Sequence, residues 1–433
     1  MNTKYKNNLK TIDTNQKLVK HYLLKLFEFI NKINTPIRDS INKFKTQMPS
    51  EIWEQDSLVL IKYSHGDINL VINQHRAPDH PYPYLIIDML KKSIRNKKIL
   101  VNEFEIIFTW DDETLFPVAI NSIANQKCKE DSQCVSAFVK NYTTIYLQTP
   151  IFMFSKDEKG RAHRYIEAEK NIFILPDLYI YFRHSHKTIK NSGFVNCYEM
   201  DIKDDTSYAM KIDKAFFIGS STSSRFFSAA NFMNFTINDP ELDNHLRLKF
   251  KAISIHNPSL LDVRIINLCD KGKINEWNSL EKSICTKLYK GGFNVDQRMD
   301  FHDIIKYKYL LSIDGHTAAW CRLPAILNSN SILLKVDGTT VEWFYPAMKP
   351  YVHYIPCPDN ENGVIKTINF IKHNASFALD IIKNAHQFVQ TFLTEIAIEE
   401  FTSSLVSEYA NHYLDTPHKI HQLHTDIFLN ENE

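Results

Sequence analysis

The chain has 433 residues, too many for one ordinary hydrophobic core, so two domains are expected. Hydrophobic residues make up 44% and charged residues 23%, which argues against disorder, and a formal net charge of +1 argues against a general nucleic-acid binder. Seven cysteines without a CxxC pair, and an N-terminus without an apolar leader segment, point to a reduced, cytoplasmic protein with no disulfide framework and no zinc module.

In chain order, the spacing of Leu18, Tyr22, Leu26, Phe29 and Ile33 predicts one or two amphipathic helices over residues 15–48. The stripe reads as core packing and leaves peripheral membrane contact open. SLVLIKY and INLVINQ, joined through Ser64 to Asp67, predict a hairpin. The PDHPYPYLIIDML segment gives way to a helix, and Phe104 to Trp110 forms a strand that ends in Asp111 and Asp112. Further strands are expected at Thr143 to Gln148, Asn171 to Leu175 and Leu178 to Phe182. Polar passages around His184 to Ser192 and Asp201 to Asp205 suit an interdomain linker.

The second half opens with AFFIG followed by SSTSSR. A strand that runs into a glycine and a string of hydroxyls suits either an anion cradle or a capped helix start. Tyr307 to Ile313, a turn at Asp314-Gly315, a helix suited by Ala318, Ala319 and Leu323 to Leu327, and a strand from Ser331 to Val336 then make a βαβ unit. Such units hold ligands at the carboxyl ends of their strands, which is where Asp314, Gly315 and Arg322 fall. Residues 363–413 are helical almost throughout, in two or more segments.

Neither GxGxxG nor GxxxxGK[ST] is present, nor HExxH, nor a D-x-D pair of the kind that holds a divalent metal on a sugar nucleotide. Positive charge and amide dipoles would then have to stabilise a diphosphate leaving group. His418, His421 and His424 share a helical spacing in a polar tail, and Cys321 stands beside Arg322; a solvated run and a buried thiol are the plainer readings. Asp111 and Asp112 are the best acid/base candidates, with a solvated turn as the bland alternative.

KYKYLLSIDG, Arg322, NSNSILLK and above all EWFYPAMKPYVHYIP resemble the capsule-associated type of glycosyltransferase, family 90. AFFIGSSTSSR, PIFMFSK and EIIFTWDDE extend the resemblance upstream to Phe104. It implies an α/β, GT-B type chain with two Rossmann-like domains facing across a cleft. An N-terminal acceptor-side domain would span residues 1–200, a UDP-sugar donor domain 206–362, and C-terminal helices 363–433 would pack partly back on the first domain.

The activity implied is inverting, metal-independent transfer of a hexose or pentose from a UDP-sugar, with no cofactor. The acceptor would be a hydroxyl of a lipopolysaccharide or other envelope glycan, at the inner face of a bacterial membrane. A protein Ser or Thr acceptor, in an exported effector, and an inactive nucleotide-sugar-binding protein are the alternatives. Nucleic acid is not expected as a partner. By matching positions, Asp112 is the base, with Asp111 where some members carry a basic residue, and Gly219, Ser220 and Thr222 are the donor loop. Arg322 faces the diphosphate and Glu342 the ribose or base. Ile218 and Ser221 stand where some relatives carry arginines, and Arg225 is the nearest substitute.

Overall fold

The computed structural model describes residues 3–55, 57–72, 82–95, 100–109, 116–157, 171–176, 203–220, 245–266, 296–297, 299–315, 318, 322–416 and 419. Two compact units emerge, one of residues 1–182, 341–347 and 392–433, the other of residues 183–340 and 348–391. Each is a mixed α/β assembly around its own five-stranded sheet. No helix among the described residues is long and apolar enough to cross a membrane.

In the first unit the helix Thr3–Ile33 turns Leu18, Tyr22, Leu26 and Phe29 into the core, as their spacing predicts. Strands β1 (Leu58–Ser64) and β2 (Asp67–Ile72) form the expected hairpin. Its two turn residues, His65 at φ 49° and Gly66 at φ 99°, both take the positive φ that a tight right-twisted hairpin needs. β1 also pairs antiparallel with β3 (Glu103–Thr109), which continues in parallel to β4 (Ile151–Met153) and β6 (Ile172–Ile174), while β5 (Ser155–Asp157) stands outside this sheet.

Two expectations fail in this unit. Thr143 to Gln148 is not a strand; it completes the helix Ser132–Leu147, which Asp131 caps by accepting from Cys134 N at 2.8 Å. Branched and aromatic residues favour a strand locally, but Ile145 and Tyr146 fall on the buried side of an already nucleated helix, and packing wins. The absence of disulfides also fails. Cys128 is bonded to Cys134 across the turn before that helix, where Lys129 and Glu130 at positive φ bring the two Cα atoms within 5.6 Å. Cys357 is free and buried, its thiol pushed up to about 12 by desolvation.

The second unit is built on β7 (Ile212–Gly219), β8 (Leu261–Ile265), β9 (Tyr307–Ser312) and β10 (Ile332–Val336). The chain then lends β11 (Thr340–Glu342), which lies beside β5, and returns for β12 (Ile355–Cys357). The order is β12-β10-β9-β7-β8 and every pairing is parallel. AFFI in β7 is buried on both faces, the pattern of a central parallel strand covered from two sides. One face, with Ala215, Phe217, Leu311 and Leu334, packs on the helices Leu246–His256, Glu361–Lys372 and Ala375–Phe392. Asp204, expected in a linker, is instead buried against Lys211 at 2.7 Å and accepts from Asn330 N at 2.7 Å.

The EWFYPAMKPYVHYIP stretch is two structures in sequence. Trp343 and Phe344 are core residues of the first unit, where Tyr22 Oη donates to Trp343 O at 2.9 Å. Lys349 to Tyr354 is a tight turn of the second unit, closed by Tyr351 N on Tyr354 O at 2.7 Å, with Tyr351 at φ 61°. His353 Nδ1 accepts from Lys349 N at 3.0 Å, and burial with the Lys349 charge depresses its pKa to about 4. Its contribution is therefore present above the ordinary value of about 6.5 and lost as pH falls toward 4.

His412 in the first unit has the opposite sign. A hydrogen bond donated to Glu408 raises its pKa against the effect of burial, and Asp415 adds to the rise. That stability is complete below about pH 6.5 and is lost as pH climbs through the raised value. Thermal melts from pH 4.5 to 8 should show both limbs. His353→Gln should flatten the acid limb only, and His412→Gln the alkaline limb only. Unchanged limbs in the variants would contradict these assignments.

Candidate functional site

In chain order the strands of the second sheet run 2-1-3-4-5, so the direction of winding reverses between β7 and β9. The crevice at the carboxyl ends of those two strands is where open α/β sheets bind ligands. β7 ends there at Gly219, with Ser220 next, and Asp314 and Gly315 follow just beyond the end of β9 at Ser312. The structure thus brings Gly219, Ser220, Asp314 and Arg322 to one edge of one unit.

Gly219 is required by its neighbours. A Cβ on it would lie 2.9 Å from the Phe217 ring and 3.3 Å from Arg322 Nη1, so glycine lets the guanidinium approach the strand end. Arg322 opens the helix Arg322–Leu327, and its guanidinium carbon lies 4.7 Å from the centroid of Phe217, a cation–π arrangement. Its Nη1 is buried and has no hydrogen-bond partner among the described residues. Desolvation pulls its pKa down to about 10, and no anion among the described residues compensates the cation. Such a group is poised for a charged ligand.

A second arginine, Arg247, joins from the first turn of the helix Leu246–His256. Its Nη1 donates to Ser220 O at 3.2 Å and Ser220 Oγ at 3.3 Å. Nε and Nη2 donate to Ile313 O at 3.2 and 3.1 Å, and its guanidinium also lies over Phe217, at 5.5 Å. Arg247 therefore ties the loop after β7 to the loop after β9 across the switch point. Sequence reading passed over it because no motif surrounds it. The available signal was its place on the first turn of a crossover helix, which a parallel sheet sets at the carboxyl edge. Ile218 is buried on β7.

Glu342 is assigned to the first unit, where it is 1% exposed. Asp111, Asp112, Ser221, Thr222 and Arg225 lie outside the described residues, as do Cys321, His418, His421 and His424.

A family model described as Glycosyl transferase family 90 matches residues 200–427, which include all of this group. Over 158 residues the chain is 29% identical to protein O-glucosyltransferase 1 of Homo sapiens, a match covering 36% of this chain and 37% of that protein. Over 121 residues it is 31% identical to protein O-glucosyltransferase 2 of Danio rerio, covering 28% of this chain and 24% of the relative. An uncharacterized protein, 179R of Invertebrate iridescent virus 6, is 26% identical over 216 residues, covering 47% of this chain and 17% of the viral protein. The matches thus span well under half the length of these relatives.

Proposed function

The chain belongs to glycosyl transferase family 90, and we propose that it transfers a sugar from a UDP-sugar to a protein Ser or Thr hydroxyl, with inversion and without a metal. The observation that carries this reading is the buried Nη1 of Arg322 beside Gly219, unpartnered among the described residues, at the switch point of a parallel sheet. A diphosphate supplies the missing anion. Arg322 and Arg247 would share its charge, with Ser220 held by Arg247. The missing D-x-D pair supports a leaving group stabilised by these cations instead of a metal.

In this reading the two α/β units are the Rossmann-like lobes of a GT-B enzyme, with the donor on the second. Asp112 takes the proton from the acceptor hydroxyl. That oxygen attacks the anomeric carbon as the bond to the β-phosphate oxygen breaks, and UDP leaves with the electron pair. The names of the two O-glucosyltransferase relatives favour glucose as the sugar and a protein as the acceptor over the envelope glycan.

Incubation with UDP-glucose and either a protein extract or purified lipopolysaccharide separates these possibilities. The expected result is UDP release together with a hexose on Ser or Thr peptides by mass spectrometry. Hexose on lipopolysaccharide alone would overturn the acceptor. UDP binding without release in either mixture would mark an inactive nucleotide-sugar-binding protein.

A further inference from the structure

β9 and β10 are parallel neighbours, and the loops leaving their carboxyl ends meet at Asp314 and Gly338. A Cβ built on Gly338 would lie 1.9 Å from Asp314 Oδ2 and 2.8 Å from its Cγ. The Asp314 carboxylate therefore fills the space that any other residue at 338 would need. The Gly338 backbone lies outside the left-handed region, so what this position uses is the missing side chain, not conformational freedom.

The backbone on both sides is held. Asp337 N donates to Cys357 O at 3.1 Å, and Ile313 O accepts from Arg247 at 3.2 and 3.1 Å. A side chain at 338 must then be met by movement of the Asp314 carboxylate. Asp314 Oδ2 is buried and accepts no hydrogen bond among the described residues. Among the described residues this oxygen gains nothing by bonding, and its seat fixes the orientation of the group.

We propose that Gly338 is a positioning residue for Asp314. Its empty side-chain site seats Oδ2 and thereby aims Oδ1 at a hydroxyl of the bound sugar nucleotide, on its ribose or on its hexose. The inference rests on the donor-binding reading above. Asp314 is the residue that touches the donor, and Gly338 acts only through it.

The test is a double-mutant cycle read by calorimetry with UDP and with UDP-glucose. Gly338→Ala should weaken UDP-glucose binding about tenfold, whereas the same change in an Asp314→Ala background should cost less than about twofold, because the clashing atoms are gone. Equal weakening of UDP places the hydroxyl on the ribose; weakening confined to UDP-glucose places it on the hexose. An equal cost of Gly338→Ala in both backgrounds, or no cost in either, overturns the proposal. If the wild-type protein binds neither compound, the donor reading fails and the hydroxyl contact with it. The seat is then judged by thermal melting. Gly338→Ala must lower the midpoint only while Asp314 is present, and equal lowering in both backgrounds overturns it.

Discussion

Replacing Arg322 with methionine is expected to lower transfer from a UDP-sugar by about 100-fold or more, while leaving the thermal midpoint at or above that of the wild type. The two halves of this result have one cause. Arg322 Nη1 is buried without a partner among the described residues, and desolvation already pulls the guanidinium pKa down to about 10. In the free protein that cation is a burden on the fold, and an apolar chain of similar length against Phe217 removes it. In the donor complex the same cation meets a diphosphate whose charge grows as the sugar departs.

Ligand-dependent melting makes the point sharper. Saturating UDP, at about 100 times its Kd, should add about 2.7 kcal/mol to the wild type. The Arg322→Met protein should show almost none of that gain at the same concentration. A variant that melted lower than wild type and kept its response to UDP would show Arg322 to be a packing residue, and would remove the central support of the proposed function.

The strands of this site are legible in sequence because each is a short, buried, parallel strand. AFFIG, YKYLLS and ILLKV are continuous apolar runs bounded by turn residues, and all three lie where they are expected. What joins them is not legible, because it depends on strand order. Arg247 matters only because β7 and β9 are neighbours, which sets its guanidinium between Ser220 and Ile313. Asp314 and Gly338 are 24 positions apart and meet only because β9 and β10 pair in parallel register. The motif around Glu342 is the most distinctive in the chain, and no local pattern announces that residues 341–347 belong to the first unit. The helix over Thr143 to Leu147 and the Cys128–Cys134 bond were hidden for a similar reason, since each depends on a neighbouring element.

Asp112→Asn is expected to cut kcat by about 100- to 10,000-fold while leaving the KM for the UDP-sugar and the affinity for UDP nearly unchanged. Asparagine keeps the size of the side chain but cannot accept a proton from an attacking hydroxyl. The loss therefore falls on the transition state and not on the ground-state complex. This signature is the reverse of that expected for Arg322→Met, which removes a contact made to the diphosphate both before and during transfer and should raise KM as well as lower kcat. The pH profile gives an independent check. Wild-type kcat should fall on the acid side as the base is protonated, and the residual activity of Asp112→Asn should lose that limb. An Asp112→Asn protein with wild-type kcat would assign the proton to another group. A loss shared equally between KM and kcat would make Asp112 a donor-binding residue instead of the base.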